Sequence, residues 1–159
     1  MDKAQVLSWP EYRIRVAFRV PKAYAFRWCT DFSAEDPHLE KEAYERKIVE
    51  RTAQRVVFED LEETEAGWIW SREDVVLRPP NRWHMEGTGN RREVVADYLL
   101  TSLPDGRTQL ELTWRRHPNA PEKKKLTKAQ READTLRAWK RFAAAMEKDY
   151  RRAHSRPRR

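Results

Sequence analysis

The last third of the chain constrains the fold most. From Leu126 the apolar positions fall at Ala129, Ala133, Leu136, Trp139, Ala143, Met146 and Tyr150, in alternating steps of three and four. That spacing keeps one stripe of a helix facing a single surface, and it predicts an amphipathic helix running to about residue 153. A helix of this length needs a broad apolar partner. The rest of the chain offers one, a run of β-type segments from near residue 44 to near residue 116. A curved sheet around one long helix commonly encloses a cavity, so function is expected between the two.

Tyr12 to Val20 alternates cleanly, with Tyr12, Ile14, Val16, Phe18 and Val20 on one face and Arg13, Arg15 and Arg19 on the other, which predicts a half-buried strand. Pro21 ends it and opens a short helix over Lys22 to Cys29, since proline is tolerated in a first helical turn. Ser33 is placed to cap a second helical turn through Ala34, Glu35 and Asp36, with Pro37 as its break. Further strands are expected at 44–51, 54–62, 67–78, 82–88, 92–103 and 107–116. The turn signals Glu65-Ala66-Gly67, Pro79-Pro80-Asn81, Gly87-Thr88-Gly89-Asn90 and Pro104-Asp105-Gly106 separate them. Short links make these an antiparallel meander. Pro118 and Pro121 end the last strand, and Lys123 to Lys125 lead into the helix. The chain reads as one α+β domain over 1–153, a curved seven-strand antiparallel sheet around a long C-terminal helix with two short helices after strand 1, followed by a basic tail over 154–159.

Specific residues add a resemblance. Val16-Ala17-Phe18-Arg19-Val20-Pro21 is followed by Tyr24, Trp28 and Thr30-Asp31-Phe32; Val75-Val76-Leu77-Arg78-Pro79-Pro80 ends a strand in a double proline; Leu103-Pro104-Asp105-Gly106-Arg107-Thr108 forms a P-D-G-x-T hairpin. With the order of elements, these motifs resemble the helix-grip fold of the START-related (SRPBCC) superfamily, which includes polyketide cyclases/dehydrases and pollen-allergen-type ligand carriers. The likeness spans nearly the whole chain. It implies a pocket for a small hydrophobic or aromatic molecule between helix and sheet. Members bind lipids, sterols, polyketides or hormones, and a minority catalyse cyclisation or dehydration.

Composition narrows the classes. Of the 159 residues 39% are hydrophobic, with seven Trp, five Tyr and five Phe, which argues against disorder although 37% are charged. No apolar run approaches the roughly 18 residues of a membrane span, and the first residues lack the apolar core of a signal peptide, so a cytoplasmic protein is expected. Cys29 is the sole cysteine, which rules out an internal disulfide and a cysteine-based zinc site within one chain. Residues 1–114 hold 17 basic and 21 acidic side chains and residues 115–159 hold 16 and 5, so the net +7 is an acidic body carrying a basic C-terminal segment. That segment shows no base-stacking aromatics and no nucleic-acid motif, and it reads as a solvated helix face rather than an RNA or DNA contact.

The expected ligand cavity is lined by Trp68, Trp70, Trp83, Met85, Tyr98, Leu100, Leu112 and Trp114 from the sheet and by Leu136, Trp139, Ala143 and Met146 from the helix. Aromatic faces of this kind either hold a flat apolar ligand or fill the core. Mid-strand, alternation points either Arg72 and Asp74 or Glu73 inward. Arg72, Asp74 and Tyr98 are the candidate catalytic residues, since an enclosed carboxylate has a raised pKa suited to acid or base work. His84 and Glu86 share one strand face but make only two ligands, and His38, His117 and His154 fall in loops or the tail, so neither a metal nor a cofactor is expected. Gly87-Thr88-Gly89 sits in a hairpin rather than at a strand-to-helix turn and is no phosphate cradle. Three readings stay open: a carrier of a small hydrophobic or aromatic ligand, a polyketide cyclase/dehydrase-like enzyme, and an interaction module docking through its basic helix.

Overall fold

The computed structural model describes residues 2–36, 43–90, 93–120, 122 and 124–155. In chain order the elements are α1 (Lys3–Leu7), β1 (Glu11–Phe18), α2 (Lys22–Cys29), β2 (Glu45–Arg51), β3 (Arg55–Thr64), β4 (Gly67–Arg78), β5 (Arg82–Gly89), β6 (Val94–Ser102), β7 (Thr108–Arg116) and α3 (Lys128–His154). The seven strands form one antiparallel sheet in the order β1-β7-β6-β5-β4-β3-β2, so the first and last strands pair and β1 and β2 are its edges. Strand positions follow the sequence pattern to within a few residues. The short helix α1, seated by Asp2 accepting from the Ala4 N–H, carries no periodicity long enough to read in advance. Pro37 and Pro121, His38, Lys123 and the tail beyond Ser155 lie outside the described residues. Of the second helical turn only the start is described, where the Ser33 Oγ accepts from the Glu35 N–H and donates to Asp36 Oδ1.

Alternation decides which side chains face the helix. Ile14, Val16 and Phe18 of β1, Leu110, Leu112 and Trp114 of β7 and Ala96, Tyr98 and Leu100 of β6 form one buried inner face. Inward residues of β5 and β4 extend it: Trp83, Met85, Val75 and Glu73. Phe18, Leu100, Leu110 and Met146 are fully buried at its centre.

Helix α3 starts at Thr127, where a reciprocal capping box joins the Thr127 side chain to the Gln130 N–H and the Gln130 side chain to the Thr127 N–H. Its apolar stripe is shorter than its spacing suggested: Ala129 and Ala133 are exposed, and the helix is buried from Leu136 onward. The first turns lie instead against the sheet edge. Glu132 accepts a hydrogen bond from the Arg13 N–H (3.0 Å), Glu147 accepts one from the Arg19 N–H (2.9 Å), and the Arg131 guanidinium rests over the Tyr12 ring. Fifteen helical residues rise about 22 Å and six extended residues about 20 Å, so the two carboxylates match N–H groups six residues apart, one on β1 and one just past its end.

Candidate functional site

Two cavities lie between α3 and the sheet, of about 300 Å³ and about 420 Å³. Both have Tyr98, Trp139 and Phe142 in their walls. The first is completed by Trp28, Cys29, Asp31, Phe32, Ser33, Glu35 and Asp36 from α2 and the loop after it, by Trp83 and Met85 from β5, and by Asp149 from α3. Val94, Ala96, Leu112, Trp114, Arg116 and Thr135 complete the second.

The sheet register places the rings. Trp83 and Tyr98 are cross-strand partners, and their rings stack with centroids 4.7 Å apart. Trp139 comes down on this pair, 6.1 Å from Tyr98, and meets Phe142 edge-on at 5.4 Å. Beyond α2 the chain turns sharply. Thr30 Oγ1 donates to the Phe26 carbonyl, and Phe32 adopts a φ of 41°, in the left-handed region rarely used by bulky residues, while its ring stacks on Phe58. This turn brings Asp31, Ser33, Glu35 and Asp36 to the cavity. Arg46 of β2 holds the loop from below, bonded to Asp36 (2.6 Å) and Asp60 (2.8 Å) with its guanidinium 4.0 Å above the Phe58 ring. Trp28 Nε1 donates to Asp149 (3.0 Å), which ties α2 to α3 at the same end.

The acidic side chains here are perturbed. Loss of solvent, and then the neighbouring Asp36, push the Asp31 carboxyl up to about 6 against the opposing pull of the Ser33 backbone N–H, Arg51 and Arg46. Burial also raises Asp36, outweighing its bonds to Arg46 and Ser33. The Cys29 thiol is pushed far up by burial and then by Asp31, so it stays protonated and is no nucleophile. Among the described residues no group of three or more His, Cys, Asp or Glu side chains could hold a metal ion.

The sequence-derived candidates divide. Trp83, Met85, Tyr98, Leu112, Trp114 and Trp139 are cavity walls. Leu100, Ala143 and Met146 are buried in the core with Leu136 packed against it, and none of the four is a wall of either cavity. Trp68 and Trp70 require correction: both are exposed, because β4 presents its odd-numbered positions inward. The same parity carries Arg72 and Asp74 to the outer face, where they pair with Glu59 (2.8 Å) and Arg55 (2.5 Å). Glu73 is the inward member, 2% exposed, and Gly87 on the facing strand leaves room for its carboxyl. His84 also faces outward, its ring bonded to Asp97 (2.7 Å) and Glu86 (3.3 Å) beside an outer-face cleft.

Pattern reading passed over the loop residues Asp31 to Asp36 and the helix positions Thr135, Phe142 and Asp149. On the helix a signal existed. Thr135, Phe142 and Asp149 each lie one residue before Leu136, Ala143 and Tyr150 of the apolar stripe, and with Trp139 of the stripe itself they line the cavities.

No family model matches the sequence, and no curated protein is similar to it. Solved structures do match. Protein TTHA0849 from Thermus thermophilus superposes with a TM-score of 0.66 at 16% identity, covering 92% of this chain and 100% of that one. The Zhui aromatase/cyclase from Streptomyces sp. R1128 gives 0.64 at 16% identity over 92% and 96%. A START superfamily protein from Mycobacterium smegmatis gives 0.63 at 12% identity over 87% and 97%. The chain has the helix-grip fold. The resemblance read from Pro21, the Thr30-Asp31-Phe32 run and the two proline-marked turns therefore holds for the architecture. At these identities the helix-grip likeness speaks for the fold alone.

Proposed function

We propose that this helix-grip protein binds a small apolar or aromatic molecule beneath α3. The observation that supports the reading is the unfilled space itself. Two clefts of about 300 and 420 Å³, partly open to solvent, run beneath α3 and share the rings of Tyr98, Trp139 and Phe142 as walls, and such volumes suit small-molecule sites. Native mass spectrometry of the freshly purified protein tests this by seeking a co-purified small molecule. Uptake of an apolar fluorescent dye gives a second readout. Ala96 is a buried wall of the larger cavity between Met85 and Trp114, and Ala96→Phe overfills the space at about 1–3 kcal/mol of stability. A folded Ala96→Phe protein is expected to lose dye uptake, and unchanged uptake would remove this placement.

A second reading, a cyclase-like catalyst, rests on Asp31. A carboxyl that titrates near 6 at a cavity wall is matched to proton transfer near neutral pH, and one solved neighbour is an aromatase/cyclase by name. On this reading Asp31→Asn abolishes turnover of an aromatic polyketide-like substrate while dye uptake persists. Turnover retained in that variant would exclude Asp31 as the acid or base.

A further inference from the structure

Building on the ligand-binding reading above, we infer that the smaller cavity selects a cationic ligand: an amine, protonated at neutral pH, carried on an aromatic or apolar body. The wall chemistry is one-sided. Six rings, those of Trp28, Phe32, Trp83, Tyr98, Trp139 and Phe142, face the same space as four carboxylates, those of Asp31, Glu35, Asp36 and Asp149. Among the described residues no lysine or arginine belongs to these walls, although the whole chain carries 33 basic residues against 26 acidic and a net charge of +7. The site thus runs against the average charge of its own molecule. Ring faces attract a cation by their quadrupole, and a carboxylate bonds an ammonium more strongly than it bonds a neutral donor. An anionic ligand would meet like charge in poorly solvated space, and a bare metal ion would lack a ligand set among the described residues.

The carboxylates are unequally committed. Asp36 is bonded to Arg46, and Asp149 accepts from Trp28. Asp31 receives Arg51 at its backbone carbonyl, and its carboxyl is held by the Ser33 backbone N–H, with Asp36, Arg51 and Arg46 as its charged neighbours. An ammonium beside Asp31 would relieve that like-charge contact and replace lost solvent, which makes Asp31 the residue most responsive to a cation. Among the described residues the larger cavity carries Arg116 as its only charged wall, so the acidic end lies at the α2 mouth. The ammonium would sit there, and the apolar body would lie against Trp139, Tyr98 and Trp83.

A matched trio tests this by isothermal titration of the full chain: 2-(2-naphthyl)ethylamine, its neutral counterpart 2-(2-naphthyl)ethanol, and 2-naphthylacetate. The amine is expected to bind at least tenfold tighter than the alcohol at pH 7.5, and the carboxylate to bind weakest. Asp31→Asn should shrink the amine's advantage over the alcohol. A measurement on the unaltered protein guards against a misfolded variant: from pH 7.5 to pH 5 the amine's affinity should fall as Asp31 takes a proton among Asp36, Arg46 and Arg51, while the alcohol's stays flat. Equal binding of amine and alcohol at both pH values would overturn the charge selection and leave the cavity reading standing. Failure of all three compounds to bind would count against both.

Discussion

At the scale of single residues, two glycines on β5 show how tightly the inner face is fitted. A Cβ at Gly87 would press on Glu73 Oε2 and come within 3.0 Å of Val94 Cγ1, while one at Gly89 would press on the Trp70 carbonyl and sit 2.9 Å from Ser71 Cα. A carboxylate tip can shift by rotation, whereas backbone cannot. Gly87→Ala is therefore expected to cost about 1–3 kcal/mol and Gly89→Ala more, as read from urea denaturation midpoints. The pair looked in sequence like a plain hairpin signal. Its meaning depends on register, since only the pairing of Gly87 with Glu73 shows which of Arg72, Glu73 and Asp74 turns inward. Asp31 supplies a pH test at the same scale. Its folded pKa, about 6, lies above the ordinary carboxylate value near 3.9, so the native state holds this proton more tightly than the unfolded chain does. Asp31's contribution thus favours folding progressively as pH drops from above 6 toward 4, and its ionised form opposes folding at neutral pH. Asp31→Asn is expected to raise the melting temperature at pH 7.5 and to leave it nearly unchanged at pH 4; calorimetry at the two pH values checks this.

At the scale of elements, α3 was legible in its existence, its length and its Trp139 anchor, because a three-four apolar repeat reports amphipathicity directly. Its rotation was not legible. Ala129 and Ala133 fit the repeat but meet solvent, since the first turns serve the edge of β1 through Glu132 and Arg131 instead, and Glu147 binds the Arg19 N–H further along the helix. Those bonds satisfy N–H groups on and just past an edge strand that would otherwise be a template for another chain. Replacing both glutamates with alanine is expected to cost about 1–3 kcal/mol in all. Light scattering should then show concentration-dependent association beyond that of the unaltered protein. Met146, fully buried under the same helix, is a packing residue rather than a cavity wall. Met146→Ala should cost about 2–5 kcal/mol in denaturation experiments.

At the scale of the whole molecule, the succession strand, two short helices, meander, long helix read from alternation and turn residues follows the observed order from β1 onward, save that the second short helix lies partly outside the described residues and α1 precedes β1. The pairing of β1 with β7 joins the first and last strands. What escaped the sequence was the side of β4 that carries each tryptophan. A strand near the sheet edge, with charged residues on both faces, has no clear polar side to fix its orientation. Trp68 and Trp70 consequently stand outside with Leu61, 55%, 47% and 42% exposed, on a face away from both cavities. Substituting both tryptophans with serine should leave apolar dye uptake intact and change stability by no more than about 1 kcal/mol, because exposed side chains contribute little. Lost uptake would return them to the ligand site.

The carboxylate bonds along β1 also bear on traffic. They fasten the roof of the binding space along one side, and the Trp28–Asp149 bond fastens it near its far end. Swinging α3 outward would strip several buried contacts and bare a strand edge at once, an expensive motion for admitting a guest. Exchange should therefore run through the gap between α2 and α3, past Asp31 and Glu35, where the one Trp28–Asp149 hydrogen bond has to open rather than the whole edge of β1. A cross-link stapling α3 to β1 would then leave association rates unchanged, and one joining α2 to α3 would slow them.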